Sequence, residues 1–214
     1  MKKFVLLLAL ALTGFAANAQ IKRPKLVVGI IIDQMRWDYL NYYYDQYCDG
    51  GFKRLINDGF SCDNNMINYL PTVTAIGHTS TYTGATPAIH GIAGNSFQID
   101  GKDVYCCKDT TVESVGSKND AGRMSPCNLL STTIGDQIRL ATDFNSKVIG
   151  VALKDRAAIL PAGRSANAAY WYDTKAGKFV TSTYYMPQLP KWVDKFNGKI
   201  KIKPGTDPKM IPEG

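Results

Sequence analysis

The chain has 214 residues, with 25 Lys and Arg against 18 Asp and Glu, a formal net charge of +7 and five cysteines. That length can hold one domain with a real core. Mild basicity suits an anionic substrate, but without a block of like charge or a basic, aromatic-interleaved patch it excludes a nucleic-acid binder.

Residues 1–19 predict a secretory leader: Lys2 and Lys3 start it, residues 4–12 form an apolar centre, and Ala17-Asn18-Ala19 is the cleavage site. The apolar run is too short to span a bilayer, and no cysteine follows the site to carry a lipid anchor. The mature chain is expected to begin near Gln20, without a stable membrane anchor, in the periplasm or outside the cell. Export permits disulfides, yet the odd cysteine count leaves one thiol unpaired or paired outside the chain. No C-x-x-C spacing offers a zinc–thiolate site.

Residues 25–33, KLVVGIIID, form a continuous apolar run ending in a carboxylate. Such runs predict buried strands of parallel sheets, and ligands of open α/β sheets bind at strand carboxyl ends. Asp33 is there either a hard oxygen ligand for a metal or an N-cap of the next helix. Residues 35–56, rich in Trp and Tyr, predict a helix ended by Asp58-Gly59, its aromatics assigned to packing rather than substrate. Residues 60–69 read as extended. They lead to the stretch that organises the chain, residues 71–95, PTVTAIGHTSTYTGATPAIHGIAGN. Here a helix starts at Thr74 and stops at Gly84. A helix start points unbonded N–H groups and a positive dipole outward, a ready site for phosphate. Taken alone, Thr74 is as well explained by plain capping.

Residues 95–122 are polar and turn-rich, an insertion with a hairpin at Asp100-Gly101. A helix is expected from Ser125-Pro126 through Asp143, with Leu129, Leu130, Ile134, Ile138 and Ala141 on one face. Residues 147–153 read as a strand ending at Lys154. Residues 170–173 and 179–184 form a hairpin around Lys175-Ala176-Gly177, and residues 190–197 a short helix stopped by Gly198. Strand, helix and strand alternate, which argues a doubly wound, mainly parallel α/β sheet. The Pro- and Gly-rich residues 199–214 read as a connecting tail.

Asp33 after its apolar run, Pro71-Thr72-x-Thr74, and Thr83-Gly84-x-x-Pro87-x-x-His90-Gly91-Ile92-x-Gly94-Asn95 together resemble the alkaline phosphatase superfamily. Within it they are similar to nucleotide pyrophosphatase/phosphodiesterases and to phosphate-irrepressible, PafA-type alkaline phosphatases. Lys154-Asp155-Arg156-Ala157-Ala158-Ile159-Leu160-Pro161-Ala162-Gly163 followed by Asn167-Ala168-Ala169-Tyr170-Trp171 resembles the PafA-type monoesterases, since the diesterases lack the Lys/Arg pair.

The resemblance implies an alkaline-phosphatase-like fold, incomplete in this chain, and hydrolysis of small-molecule phosphate monoesters through a phosphothreonine. It implies two Zn²⁺, with Asp33 a ligand of one, Thr74 the nucleophile on it, and Asn95 a donor to phosphate oxygen. Lys154 and Arg156 would contact the equatorial phosphoryl oxygens. Read as a residue alone, Asn95 is better explained as a turn residue. A solvated strand end is the plain alternative for Lys154 and Arg156, but the apolar run before them and the Pro161-Ala162-Gly163 turn after them favour a buried role. His78 and His90 are assigned structural roles. A two-zinc centre needs about six to eight protein ligands. This chain supplies too few, so residues 20–198 are expected to be the N-terminal part of a longer, monomeric phosphatase, inactive alone. A nucleotide diesterase and a non-catalytic exported phosphate-binding module are the alternatives. A sulfatase is disfavoured, as no Cys/Ser-x-Pro-x-Arg motif occurs.

Overall fold

The computed structural model describes residues 24–200. The expected leader and all but the first two residues of the expected tail lie outside them. Two units divide the chain, residues 1–36 and 37–214. In the first, residues 25–33 form no strand. Leu26, Val27, Val28 and Ile30 are exposed, and no described strand pairs with them. An apolar run becomes a strand only where neighbouring strands take its backbone N–H and C=O groups, and among the described residues no strand lies beside it. Asp33 accordingly lies in a turn, exposed, rather than at a strand end.

In the second unit, the single helix expected over residues 35–56 is replaced by α1 (Tyr39–Tyr42), a short 3₁₀ turn (Tyr44–Gln46) and α2 (Phe52–Asp58). Gly50-Gly51 breaks the helix where two residues without side chains carry the largest entropic cost of ordering. The aromatics pack on one another, Tyr42 edge-on to Tyr43 and Tyr47 against Phe52. Residues 60–69 adopt no regular element.

Helix α3 (Thr74–Thr83) starts and stops where the sequence places it, its end fixed by Gly84 at φ 66°, whose N–H bonds Ser80 O. A single turn, α4 (Pro87–His90), follows. Strands β1 (Ser96–Ile99) and β2 (Lys102–Tyr105) form the expected hairpin, with positive φ at both Asp100 and Gly101 as a tight two-residue turn requires.

The helix expected from Ser125 begins only at Ile134, giving α5 (Ile134–Ala141). Thr133 and Asp136 form a capping box that fixes this start. The preceding segment is held otherwise: Leu129 is buried, and its carbonyl accepts from Arg164 Nη1 at 2.7 Å.

Strand β3 (Ser114–Val115), β4 (Ile149–Ala152), β5 (Ala168–Asp173) and β6 (Lys178–Ser182) make one sheet in the order β3-β6-β5-β4. β4 and β5 are parallel and joined by α6 (Asp155–Ala162), which packs on both. β6 is antiparallel to β5 and to β3. The sheet of the described residues is therefore mixed, and this strand–helix–strand unit is its parallel part. The strand expected over residues 147–153 appears as β4, an edge strand of this sheet with Ile149 and Val151 exposed. Helix α7 (Lys191–Asn197) ends at Gly198 as expected. The core joins Ala75 of α3, Ile92, Cys106, Leu129, Ile159 of α6, Trp171 of β5 and Val180 of β6. Burial of so much apolar surface locks these elements together.

Candidate functional site

Thr74 is the first residue of α3, preceded by Val73 at the N-cap. A valine has no oxygen with which to cap, so the helix borrows one from elsewhere. Asn95 Oδ1 accepts the Ala75 N–H at 2.9 Å, across 20 residues of sequence. This bond also fixes the Asn95 amide: Oδ1 is committed to the helix, so the Nδ2 end is the one presented outward. Asn95 and Thr74 are both half-buried.

Asn95 reaches α3 because it opens the β1–β2 hairpin. Its carbonyl accepts the Cys106 N–H at 3.0 Å, and Ser96 pairs with Tyr105. The other side of this hairpin base meets the start of α6. There the Tyr105 hydroxyl donates to Asp155 Oδ1 at 2.6 Å and accepts from Arg156 Nη1 at 2.9 Å. Lys154 caps α6 with an extended backbone. One hairpin base thus carries contacts to the first turns of two helices that themselves pack together. Thr74 and Asn95 meet at one, Lys154 and Arg156 sit at the other.

Burial opposes the charge on Arg156, but the Tyr105 hydroxyl and the Asp155 carboxylate outweigh it and hold the guanidinium above its usual pKa. Burial, with the Asp155 charge beside it, pushes the Tyr105 phenol well above its ordinary value. Arg156 stays a cation and Tyr105 a neutral hydroxyl across the working range. Tyr105 and Asp155 were not candidates from sequence. Asp155 lies inside the Lys154–Arg156 motif, but nothing local marks a tyrosine 50 residues upstream as its partner.

Both histidines serve the fold. His78 Nδ1 bonds Thr74 O at 3.0 Å, one turn back on α3. His90 Nδ1 accepts the Ile92 N–H at 3.1 Å, so its proton sits on Nε2 and is donated to Ser80 Oγ at 2.9 Å. Ser80 and His90 resemble a nucleophile–base pair, but the proton faces the wrong way for base catalysis. All five cysteines are thiols, Cys106 and Cys107 buried and the others exposed. Among the described residues, no group of three or more His, Cys, Asp and Glu comes together to hold a metal ion. The described residues do not by themselves bring together a two-zinc ligand set. Asp33 lies in the first unit and the other four candidates in the second.

A mixed sheet with a threonine and two cations at helix starts is the kind of α/β arrangement that suits an anionic ligand. The chain belongs to the type I phosphodiesterase / nucleotide pyrophosphatase family, whose model matches residues 27–211. It is 59% identical over 183 residues to a protein named calcium-transporting ATPase from Myroides odoratus, covering 85% of this chain and 33% of that one. It is 56% identical over 203 residues to alkaline phosphatase PafA of Elizabethkingia meningoseptica, covering 92% and 37%. The crystal structure of wild-type PafA superposes with a TM-score of 0.82 at 59% identity, over 84% of this chain and 35% of that one. The fold is therefore alkaline-phosphatase-like, and the chain spans about a third of the length of the curated relatives it matches. No helix among the described residues is long and apolar enough to cross a membrane.

Proposed function

We propose that this chain is the N-terminal part of an exported alkaline phosphatase that hydrolyses small phosphate monoesters through a phosphothreonine at Thr74. The observation that carries this reading is the hairpin base, which holds Asn95 against the Thr74 turn and Arg156 at the start of the neighbouring helix. Thr74 Oγ1 attacks phosphorus as the P–O bond to the ester alcohol breaks, the alcohol leaving with the proton the hydroxyl gives up. Water then cleaves the phosphothreonine, releasing inorganic phosphate and restoring Thr74. Asn95 Nδ2 donates to one phosphoryl oxygen, because its Oδ1 is committed to Ala75. Lys154 and Arg156 meet the remaining equatorial oxygens, and preorganised charge at those oxygens is the largest contribution a protein makes to phosphoryl transfer. A solved variant of PafA carries threonine-to-serine, asparagine-to-alanine, lysine-to-alanine and arginine-to-alanine substitutions. The separation of its threonine from its asparagine, and of its lysine from its arginine, is that of Thr74 from Asn95 and of Lys154 from Arg156.

Zinc belongs to this reading through the resemblance. Asp33 and Thr74 are the donors this chain would offer, and the remaining ligands would come from outside residues 24–200, so no step is derived through the metal. Residues 1–19 act as the leader, residues 20–198 belong to the catalytic domain, and residues 199–214 connect onward. The functional unit is a monomer.

The family's description names diesterases, which makes a nucleotide diesterase the competing reading. A monoester carries more charge on its nonbridging oxygens than a diester, so it gains more from two cations. Hydrogen bonds from charged donors contribute about 1.5–3 kcal/mol each. Lys154→Ala with Arg156→Ala in the full-length protein should therefore lower monoester kcat/KM by on the order of 10²-fold or more. Diester hydrolysis should fall far less. Equal losses would assign the pair to the fold, and no loss would remove it from the site.

A further inference from the structure

Arg156 presents an incompletely anchored guanidinium. Its Nε is buried with no hydrogen-bond partner. Its Nη1 lies 3.8 Å from Asp155 Oδ1, too far for a hydrogen bond, although the two residues are adjacent and oppositely charged. The Asp155 carboxylate is instead engaged by the Arg156 backbone N–H at 2.7 Å and by the Tyr105 hydroxyl at 2.6 Å. The same hydroxyl accepts from Arg156 Nη1 at 2.9 Å. Tyr105 bridges the carboxylate and the guanidinium, bonded to both, and the two charges form only a long ion pair with no direct hydrogen bond between their side chains. Among the described residues, it accepts the one hydrogen bond that the guanidinium makes to a side chain.

We propose that Tyr105 is a positioning residue for Arg156. Its hydroxyl holds the guanidinium off Asp155 and aims the Nη2 edge at the phosphoryl group. The inference rests on Arg156 binding a phosphoryl oxygen, as proposed above. A planar guanidinium loses its bidentate geometry when it rotates, and a close, hydrogen-bonded pair with Asp155 would turn toward the protein the N–H groups meant for the ligand. Tyr105 is well suited to prevent this, because it enters from β2, outside α6, and its ring is fixed by the hairpin register opposite Ser96.

The test is a double-mutant cycle in the full-length protein, with Tyr105→Phe, Arg156→Ala and the pair, reading monoester kcat/KM and inhibition by inorganic phosphate. Tyr105→Phe keeps the ring and removes only the hydroxyl. It should lower monoester kcat/KM on the order of tenfold and weaken phosphate inhibition by a similar factor. In the Arg156→Ala background it should cost almost nothing further. Melting temperatures taken alongside separate this from a loss of folding: the activity loss should exceed any fall in folded fraction at the assay temperature. If Arg156→Ala lowers activity but Tyr105→Phe is neutral, or if the two losses multiply, Tyr105 does not act through Arg156 and the proposal fails alone. If Arg156→Ala changes neither turnover nor phosphate inhibition, the phosphoryl role of Arg156 fails and this inference with it.

Discussion

Thr74 has a valine before it where a capping residue is usual, and the cap is supplied by Asn95 from the hairpin. That arrangement places Thr74 one position inside the helix, at its first turn, rather than at the capping position. In the full-length protein, Thr74→Ala should abolish the covalent phosphoenzyme, while Thr74→Ser should retain much of the activity because the hydroxyl remains. Acid-quenched labelling with a radioactive monoester reads this directly, and label trapped at another residue in Thr74→Ala would refute the assignment. His90 offers a second residue-scale test. Burial lowers its pKa from the ordinary 6.5, more strongly than a backbone hydrogen bond raises it. Between that lowered value and 6.5 the unfolded chain binds more protons than the folded one, so folding stability rises with pH. Stability should be flat with respect to His90 above about pH 6.5 and decline as pH falls below it. With two histidines in the chain, an NMR titration resolves both, and a His90 pKa above 6.5 would contradict the Nε2-protonated ring.

Helix α5 and the turn after α6 depend on one carboxylate. Asp136 accepts from Thr133 N at 2.9 Å, Ser165 N at 2.7 Å, Ser165 Oγ at 2.6 Å and Arg164 N at 3.3 Å. Burial pushes its pKa up, but these bonds outweigh burial and hold the carboxyl below the usual value. The turn can approach so closely because Gly163, at φ 85°, has no side chain: a Cβ there would sit 2.3 Å from Asp136 Oδ2. Asp136→Ala strands the buried Thr133 N–H and the part-buried Arg164 and Ser165 N–H groups at once and should cost about 3 kcal/mol, read by urea unfolding as a lower midpoint with the slope kept. Because the same turn closes α6, whose first residues carry Arg156, that variant should also reduce monoester turnover. A variant as stable as the parent would show that other groups, water included, replace the carboxylate.

Across the whole molecule, large apolar side chains remain exposed on separate elements, among them Leu26 and Ile30 in the first unit and Ile149, Val151 and Trp192 in the second. An exposed apolar edge strand such as β4, carrying Ile149 and Val151 on one face, ordinarily marks a surface that another part of a protein covers. Together with the missing metal donors among the described residues, they lead to an expected outcome for the isolated polypeptide. Residues 20–214 alone should hydrolyse no phosphate ester and bind zinc weakly, in assays with an aryl phosphate and by zinc titration. Robust turnover abolished by a chelator would show that this chain holds a complete metal site.

Local chemistry determined much of this protein. Thr74 to Gly84 was legible as a helix because its stop signal is carried by one residue, and the Asp100-Gly101 hairpin because its turn is carried by two. Lys154, Arg156, Thr74 and Asn95 were legible as candidates because their spacing recurs in a family. The tertiary structure decided whatever depends on partners distant in sequence. Residues 25–33 form no strand in the described residues, since hydrophobic pattern sets a strand's faces but neighbouring strands must take its hydrogen bonds. α5 starts at Ile134 rather than near Ser125 because the Thr133–Asp136 capping box fixes its start, with Asp136 held in turn by Ser165, 29 residues further on. The Tyr105–Asp155–Arg156 chain was invisible for the same reason. It spans about 50 residues, and no local propensity encodes a contact that exists only once the hairpin has packed on α6.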